Sequence, residues 1–129
     1  MSTPTQELLR SGGFSYQWHP DLARDIELEK EEDPSCWPDM RVVLQRIRSG
    51  TCRSDEWSAP LDRKHADIGE VKMRVGKRLY RLYVSAPPSR PGVLYLLHFA
   101  WKRSGKKGLA TQDQQIDEAF SRLMEMPRR

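Results

Sequence analysis

Residues 71 to 84, VKMRVGKRLYRLYV, carry five Lys and Arg and no Asp or Glu. Val71, Met73 and Val75 alternate with Lys72 and Arg74, and Tyr80, Leu82 and Val84 alternate with Arg81 and Tyr83, the period of two of half-buried strands. Gly76-Lys77 between them suits a two-residue hairpin loop of type II′, whose first residue needs positive φ. That loop sets Met73 against Tyr80, Val71 against Leu82, Lys72 against Arg81 and Glu70 against Tyr83. The apolar partners then share one side, and Lys72, Arg74, Arg81 and Tyr83 share the other. Facing cations repel unless water screens them or an anion is supplied. Several fixed cations converging on one phosphodiester is the chemistry this constellation suits. A one-residue slip would bury Lys72 and Arg81 in place of Met73 and Leu82, so the register is strongly specified. Outward Lys and Arg also guard edge strands against aggregation, and that reading needs no ligand.

The cations continue beyond the hairpin. Lys77 and Arg78 lie at its turn, and the segment KRSGKKG adds Lys102, Arg103, Lys106 and Lys107 beside Trp101. From Lys72 to Lys107 there are ten Lys and Arg and no acid. Aromatic and guanidinium groups beside phosphate-seeking cations are what single-stranded RNA recognition uses, which makes Lys77, Arg78, Trp101, Lys102, Arg103, Lys106 and Lys107 candidate RNA contacts. Residues 1 to 60 hold seven Lys and Arg against eleven Asp and Glu, a net −4, while the remaining residues hold fifteen against seven, a net +8. The basic half fits a polyanion partner; a solubility device or an acidic protein partner fits the charge alone equally well.

The elements that must position these groups are readable along the chain of 129 residues, one domain's worth. Residues 1 to 13 read as a polar, disordered tail without the basic start and apolar core of a signal peptide, and residues 14 to 126 as a single domain. FSYQW alternates as a strand, and Pro20-Asp21 opens a thinly amphipathic, acidic helix ended by Asp33-Pro34. Met40, Val43, Leu44 and Ile47 fall at i, i+3, i+4 and i+7 on a second helix capped by Gly50, so a helical hairpin is expected. After the charged hairpin, VLYLLHFAW is apolar on both faces, as a central strand is. Thr111 and Gln114 make a capping box for a last helix whose stripe is Ile116, Ala119, Phe120, Leu123 and Met124. The expected fold is α+β in the order β-α-α-β-β-β-α, an antiparallel sheet with a helical hairpin on one face and a C-terminal helix. No apolar run is long enough to span a membrane, and the expectation is a cytoplasmic protein. Cys36 and Cys52 are expected as reduced thiols, and neither they nor His19, His65 and His98 have metal-ligand spacing, so no metal and no cofactor is expected. His98, on an apolar strand, reads first as a core histidine and only second as an acid or base.

The order of elements, the DIGEVKMRV…LYRLYV hairpin, the VLYLLHFAWKRSGKK strand and loop and the ATQDQQIDEAFSRL helix resemble the phage-derived Gp49-like HigB toxins of the RelE/ParE superfamily. The resemblance is sequence-level from about residue 67 to 124 and architectural before that. Its motif positions read Lys72-Met73-Arg74, Tyr80-Arg81, Leu96-Leu97-His98 followed by Trp101-Lys102-Arg103, and Gln115-Ile116-Asp117-Glu118-Ala119. Lys72 stands where the family usually has an acid, and Arg103 stands for a second Lys. The resemblance implies the RelE-like fold and the toxin of a type II toxin-antitoxin pair, a metal-independent endoribonuclease that cuts mRNA on the ribosome. It also implies a helix-turn-helix, HigA-like antitoxin, with operator DNA reached only through it. Catalysis by 2′-hydroxyl attack would then fall to Lys72, Arg74, Arg81 and Tyr83: Arg74 and Arg81 stabilising the phosphate, Lys72 carrying the proton, Tyr83 stacking or donating. Non-catalytic alternatives are a ParE-like gyrase-binding toxin or a plain RNA-binding module.

Overall fold

The structure is a computed structural model that describes residues 3–61, 65, 67–101 and 111–127. The acidic first half forms helices. α1 (Pro4–Ser11) leads to β1 (Ser15–Trp18), followed by α2 (Leu22–Glu32), α3 (Cys36–Arg48) and a 3-10 turn at Ser54–Glu56. The sequence reading missed α1 and took this segment for a disordered tail. Its signals are short but complete: the Thr3 side chain accepts from Gln6 N–H, Pro4 occupies the first turn, and Leu9 is fully buried. Gly12 ends it at φ +76°, where a Cβ would lie 2.5 Å from the Arg48 carbonyl oxygen, so only glycine lets α1 dock on the end of α3.

The second half supplies β2 (Trp57–Ser58), β3 (Gly69–Val75), β4 (Arg78–Ser85) and β5 (Val93–Trp101), then α4 (Gln112–Glu125). The five strands lie in the order β1-β5-β4-β3-β2. β2 to β5 are an antiparallel meander, but β1 pairs parallel to β5, so the sheet is mixed rather than antiparallel. The helical hairpin carries the chain across the sheet, the meander starts at the far edge, and its last strand returns beside β1 in the same direction. The β3–β4 register is the one the alternation predicts, Lys72 opposite Arg81 and Met73 opposite Tyr80. Gly76 has φ +59° and Lys77 does not have positive φ, as a type II′ turn requires.

Two cores result. Val71, Met73, Tyr80, Leu82, Leu94, Leu96 and Phe99 pack against α1, α2 and α3, with Leu22, Met40 and Ile47 wholly buried. On the other face Tyr83, Tyr95 and Leu97 pack against Ile116 and Ala119 of α4. A register shift beside Tyr83 and Val84 reverses the parity of β5, so that Leu94 and Leu96 before it and Phe99 after it all face the first core. The Thr111–Gln114 capping box forms as expected. The buried side of α4, however, is Gln115, Ile116, Ala119 and Arg122, while Met124 is exposed. The helix is turned so that two polar side chains enter the sheet face. Among the described residues, no helix is long and apolar enough to cross a membrane.

Candidate active site on the α4 face of the sheet

On the face covered by α4, side chains stand in rows across three strands. Glu70, Tyr83 and His98 form one row, and Lys72, Arg81 and Ala100 the next. The anion that the facing cations call for is built into the chain. Glu70 Oε2 lies 3.1 Å from Arg81 Nε, with side-chain exposures of 5% and 11%. The contact is an ion pair without a directed hydrogen bond, and the buried Nε and Nη1 of Arg81 meet no hydrogen-bond acceptor among the described residues. Gln112, at the start of α4, donates its Nε2 to the same Glu70 oxygen at 3.2 Å. Burial lifts the Glu70 carboxyl above the usual carboxylate range, and the nearby charges of Arg81 and Lys72 recover only part of that cost. Lys72 is half-buried and donates Nζ to Ser58 Oγ at 2.8 Å.

Sequence reasoning passed over Glu70 because it stops just short of the charged stretch, although it shares the parity of Lys72 and Arg74. Tyr83 needs correcting: the ring is fully buried, and its hydroxyl donates to Gln115 Oε1 at 2.7 Å. Gln115 in turn donates to the Trp101 carbonyl. Burial raises the phenol above its ordinary range, so Tyr83 is a scaffold residue and cannot stack on a base.

The remaining candidates divide. Arg74 is exposed one row farther toward the turn, and with Lys72 it lines a cleft of about 530 Å³ at the open end of β3. Arg46 and Arg53 share that cleft with Asp39, Asp55 and Glu56, a mixture of signs rather than a basic channel. Lys77 is exposed in the hairpin turn. Arg78 and Trp101 meet on the opposite face, the guanidinium 4.6 Å from the ring centroid and 3.1 Å from Glu32 Oε2, and so are separated from Lys72 and Arg81. Lys102, Arg103, Lys106 and Lys107 lie outside the described residues.

His98 belongs to a second polar cluster. Its Nδ1 lies 3.0 Å from Asp25 Oδ2, and its ring stacks on Tyr83 with centroids 6.0 Å apart. Arg122 of α4 grips both Asp25 oxygens and also donates to the Leu97 carbonyl at 2.9 Å, and Phe99 N–H donates to Asp25 at 3.2 Å. The arrangement has a simple cause. β1 ends at Trp18 opposite Leu96, so the second half of β5 has no strand on that side, and Asp25 and Arg122 take the missing backbone partners' place there. Burial opposes ionisation of Asp25, but the hydrogen bonds from His98 and Arg122 outweigh it and hold the carboxyl below its usual range. An ionised Asp25 only accepts, so the His98 proton sits on Nδ1 and Nε2 is left for other contacts.

Among the described residues no group of three or more His, Cys, Asp and Glu could hold a metal ion. Both cysteines are free; burial first, and the charges of Asp33 and Glu29 second, push the Cys36 thiol up to about 11. Compared with protein-family models, with curated proteins and with solved structures, the chain matches none of them.

Proposed function

We propose that the chain is a metal-independent endoribonuclease of the RelE/HigB kind, the toxin of a toxin-antitoxin pair, with its chemistry at Glu70, Lys72 and Arg81. One observation carries this reading: a buried carboxyl with raised proton affinity sits against a guanidinium whose Nη1 has no acceptor among the described residues. Phosphodiester cleavage by a neighbouring 2′-hydroxyl needs a base of that kind. Glu70 would take the 2′-hydroxyl proton as the 2′-oxygen bonds to phosphorus and the bond to the 5′-oxygen breaks. Arg81 and Lys72 would bear the charge that builds on the phosphate oxygens, the role for which fixed cations in a dry site are most effective. The leaving 5′-oxygen would take its proton from solvent, because His98, in the row of Glu70, holds its own proton on Nδ1 against Asp25. The products would be a 2′,3′-cyclic phosphate and a 5′-hydroxyl. Glu70 thus takes the proton-carrying role that the sequence reading gave to Lys72, and Tyr83 has none. In this reading the partners are mRNA on the ribosome and a helix-turn-helix antitoxin.

The Glu70–Arg81 ion pair also favours a second reading, a non-catalytic member of the same fold in which the pair neutralises itself. Labelled single-stranded RNA incubated with the purified chain, with and without ribosomes, separates the two. The nuclease reading expects cyclic-phosphate products that fall at least about 100-fold in Arg81→Ala and Glu70→Gln. Intact RNA in that assay, together with intact bulk mRNA after induction in cells, removes it.

A further inference from the structure

Away from these clusters, one edge of the sheet is open. β1 is the outermost strand beside β5, with no strand on its other side among the described residues. Ser15 N–H donates to the Gly92 carbonyl and His19 N–H to the Leu96 carbonyl, so odd positions of β1 face β5. Strand amides alternate, and the N–H and C=O groups of Tyr16 and Trp18 therefore face outward. An exposed row of this kind is a template for another extended chain unless charge or a covering element blocks it. Neither Pro nor Lys occupies β1, whose residues are Ser, Tyr, Gln and Trp.

The side chains beside the edge give the visitor's chemistry. Trp18 is 45% exposed although it is a large aromatic, and it meets Trp37 edge to face at 5.4 Å. Tyr16 donates its hydroxyl to the Leu44 carbonyl, so α3 runs alongside β1 in the opposite direction. Between them lies a groove of about 200 Å³ lined by Tyr16, Trp18, Trp37, Arg41, Gln45 and Arg48, with no acid in its wall. Arg41 and Arg48 are exposed, and among the described residues neither makes an ion pair. Seven helical positions separate them by roughly 10 Å along α3. Side chains two or four apart on one side of a strand span about 7 to 13 Å, which brackets that distance.

We propose that the open edge of β1 and the groove between it and α3 accept an extended, acidic segment of another protein as an added strand. Backbone hydrogen bonds to Tyr16 and Trp18 give affinity, an apolar side chain rests on Trp18, and carboxylates meet Arg41 and Arg48. The aromatic and cationic groups would also suit single-stranded nucleic acid, but a polynucleotide offers no peptide ladder to a strand edge. This surface lies on the α3 side of the sheet and is independent of the nuclease reading.

The test pans a displayed library of random peptides of about twelve residues, enough to exceed the strand, against the full chain. Enrichment of sequences that combine Asp or Glu with one aromatic or branched apolar residue is the expected result. The enriched peptide should bind at least about tenfold more weakly to the Arg41→Glu, Arg48→Glu double variant, whose changes are at exposed positions. It should also weaken when N-methylated at alternate residues, which removes ladder donors without changing a side chain. No enrichment, enrichment that persists on the double variant, indifference to N-methylation in both alternate patterns, or tighter binding of oligouridylate than of the selected peptide overturns the proposal.

Discussion

Two buried carboxylates sit on the same sheet, each against an arginine, and they differ in how completely they are met. Asp25 takes hydrogen bonds from His98, Phe99 and Arg122, and its carboxyl is held below the usual range. Glu70 has an ion pair without directed hydrogen bonding from Arg81 and one amide from Gln112, and its carboxyl is pushed above the usual range. Burial works against ionisation in both. What differs is the number and aim of donors, and that decides whether a buried acid is a structural bolt or a group that can change its proton.

The comparison breaks most easily at Asp25. Asp25→Ala leaves the buried Nη1 and Nη2 of Arg122 without their carboxylate, with Glu118 holding only Nε, and leaves Phe99 N–H without an acceptor, and should cost about 3 kcal/mol in denaturant unfolding. Arg81→Ala should cost less, below about 2 kcal/mol, because Glu70 can take a proton when its partner goes. If the two losses prove equal, both pairs are structural and the contrast fails.

Stability against pH sharpens the same contrast. Asp25, lowered from 3.8, contributes stability that is present above that value and is lost as pH falls through its folded value. Glu70, raised from 4.5, acts in the opposite sense: its ionised form penalises the fold near neutrality, and the penalty disappears as pH falls through its raised value toward 4.5. Glu56, held down by its hydrogen bonds from Arg46, adds to the acid loss, so the comparison must be made by difference. Subtracting the curve of Glu70→Gln from that of the parent chain should leave a rise on acidification; subtracting Asp25→Asn should leave a fall. Differences of the same sign would sink the distinction.

The smallest effect is expected at Gln112. Gln112→Ala removes the single amide on Glu70 from a half-buried position at the helix start and should change stability by less than about 1 kcal/mol, while moving the Glu70 carboxyl further upward in a carbon-13 titration. A downward movement would mean that Gln112 is not a partner of the ionised form.

Much of this frame was legible in the chain. Period-two alternation with Gly76 fixed the hairpin register, because any slip would have buried Lys72 and Arg81. The apolar spacing of Met40, Val43, Leu44 and Ile47 gave α3, and Thr111 with Gln114 gave the start of α4. The parallel β1–β5 pair was not legible, since adjacency between strands so far apart in sequence has no local signature. The candidate site was half visible. Charge counting found Lys72 and Arg81 but missed that Glu70, diagonal to Arg81 in the same register, answers them; that Tyr83 is roofed by Gln115 follows from the rotation of α4 against the sheet. Asp25 is one of several acids on α2 and carries no local signal that sets it apart; the early end of β1 leaves the flank of β5 open to it and to Arg122.

The clasp of Asp25 by Arg122 joins positions 97 residues apart. A ribosome making this chain must therefore deliver it through residue 122 before that flank of β5 can be sealed, and until then the nascent strand presents bare amides and carbonyls to any neighbour. Truncation before Arg122 would leave that vulnerability permanent, and such fragments should be found in aggregates rather than as free monomers.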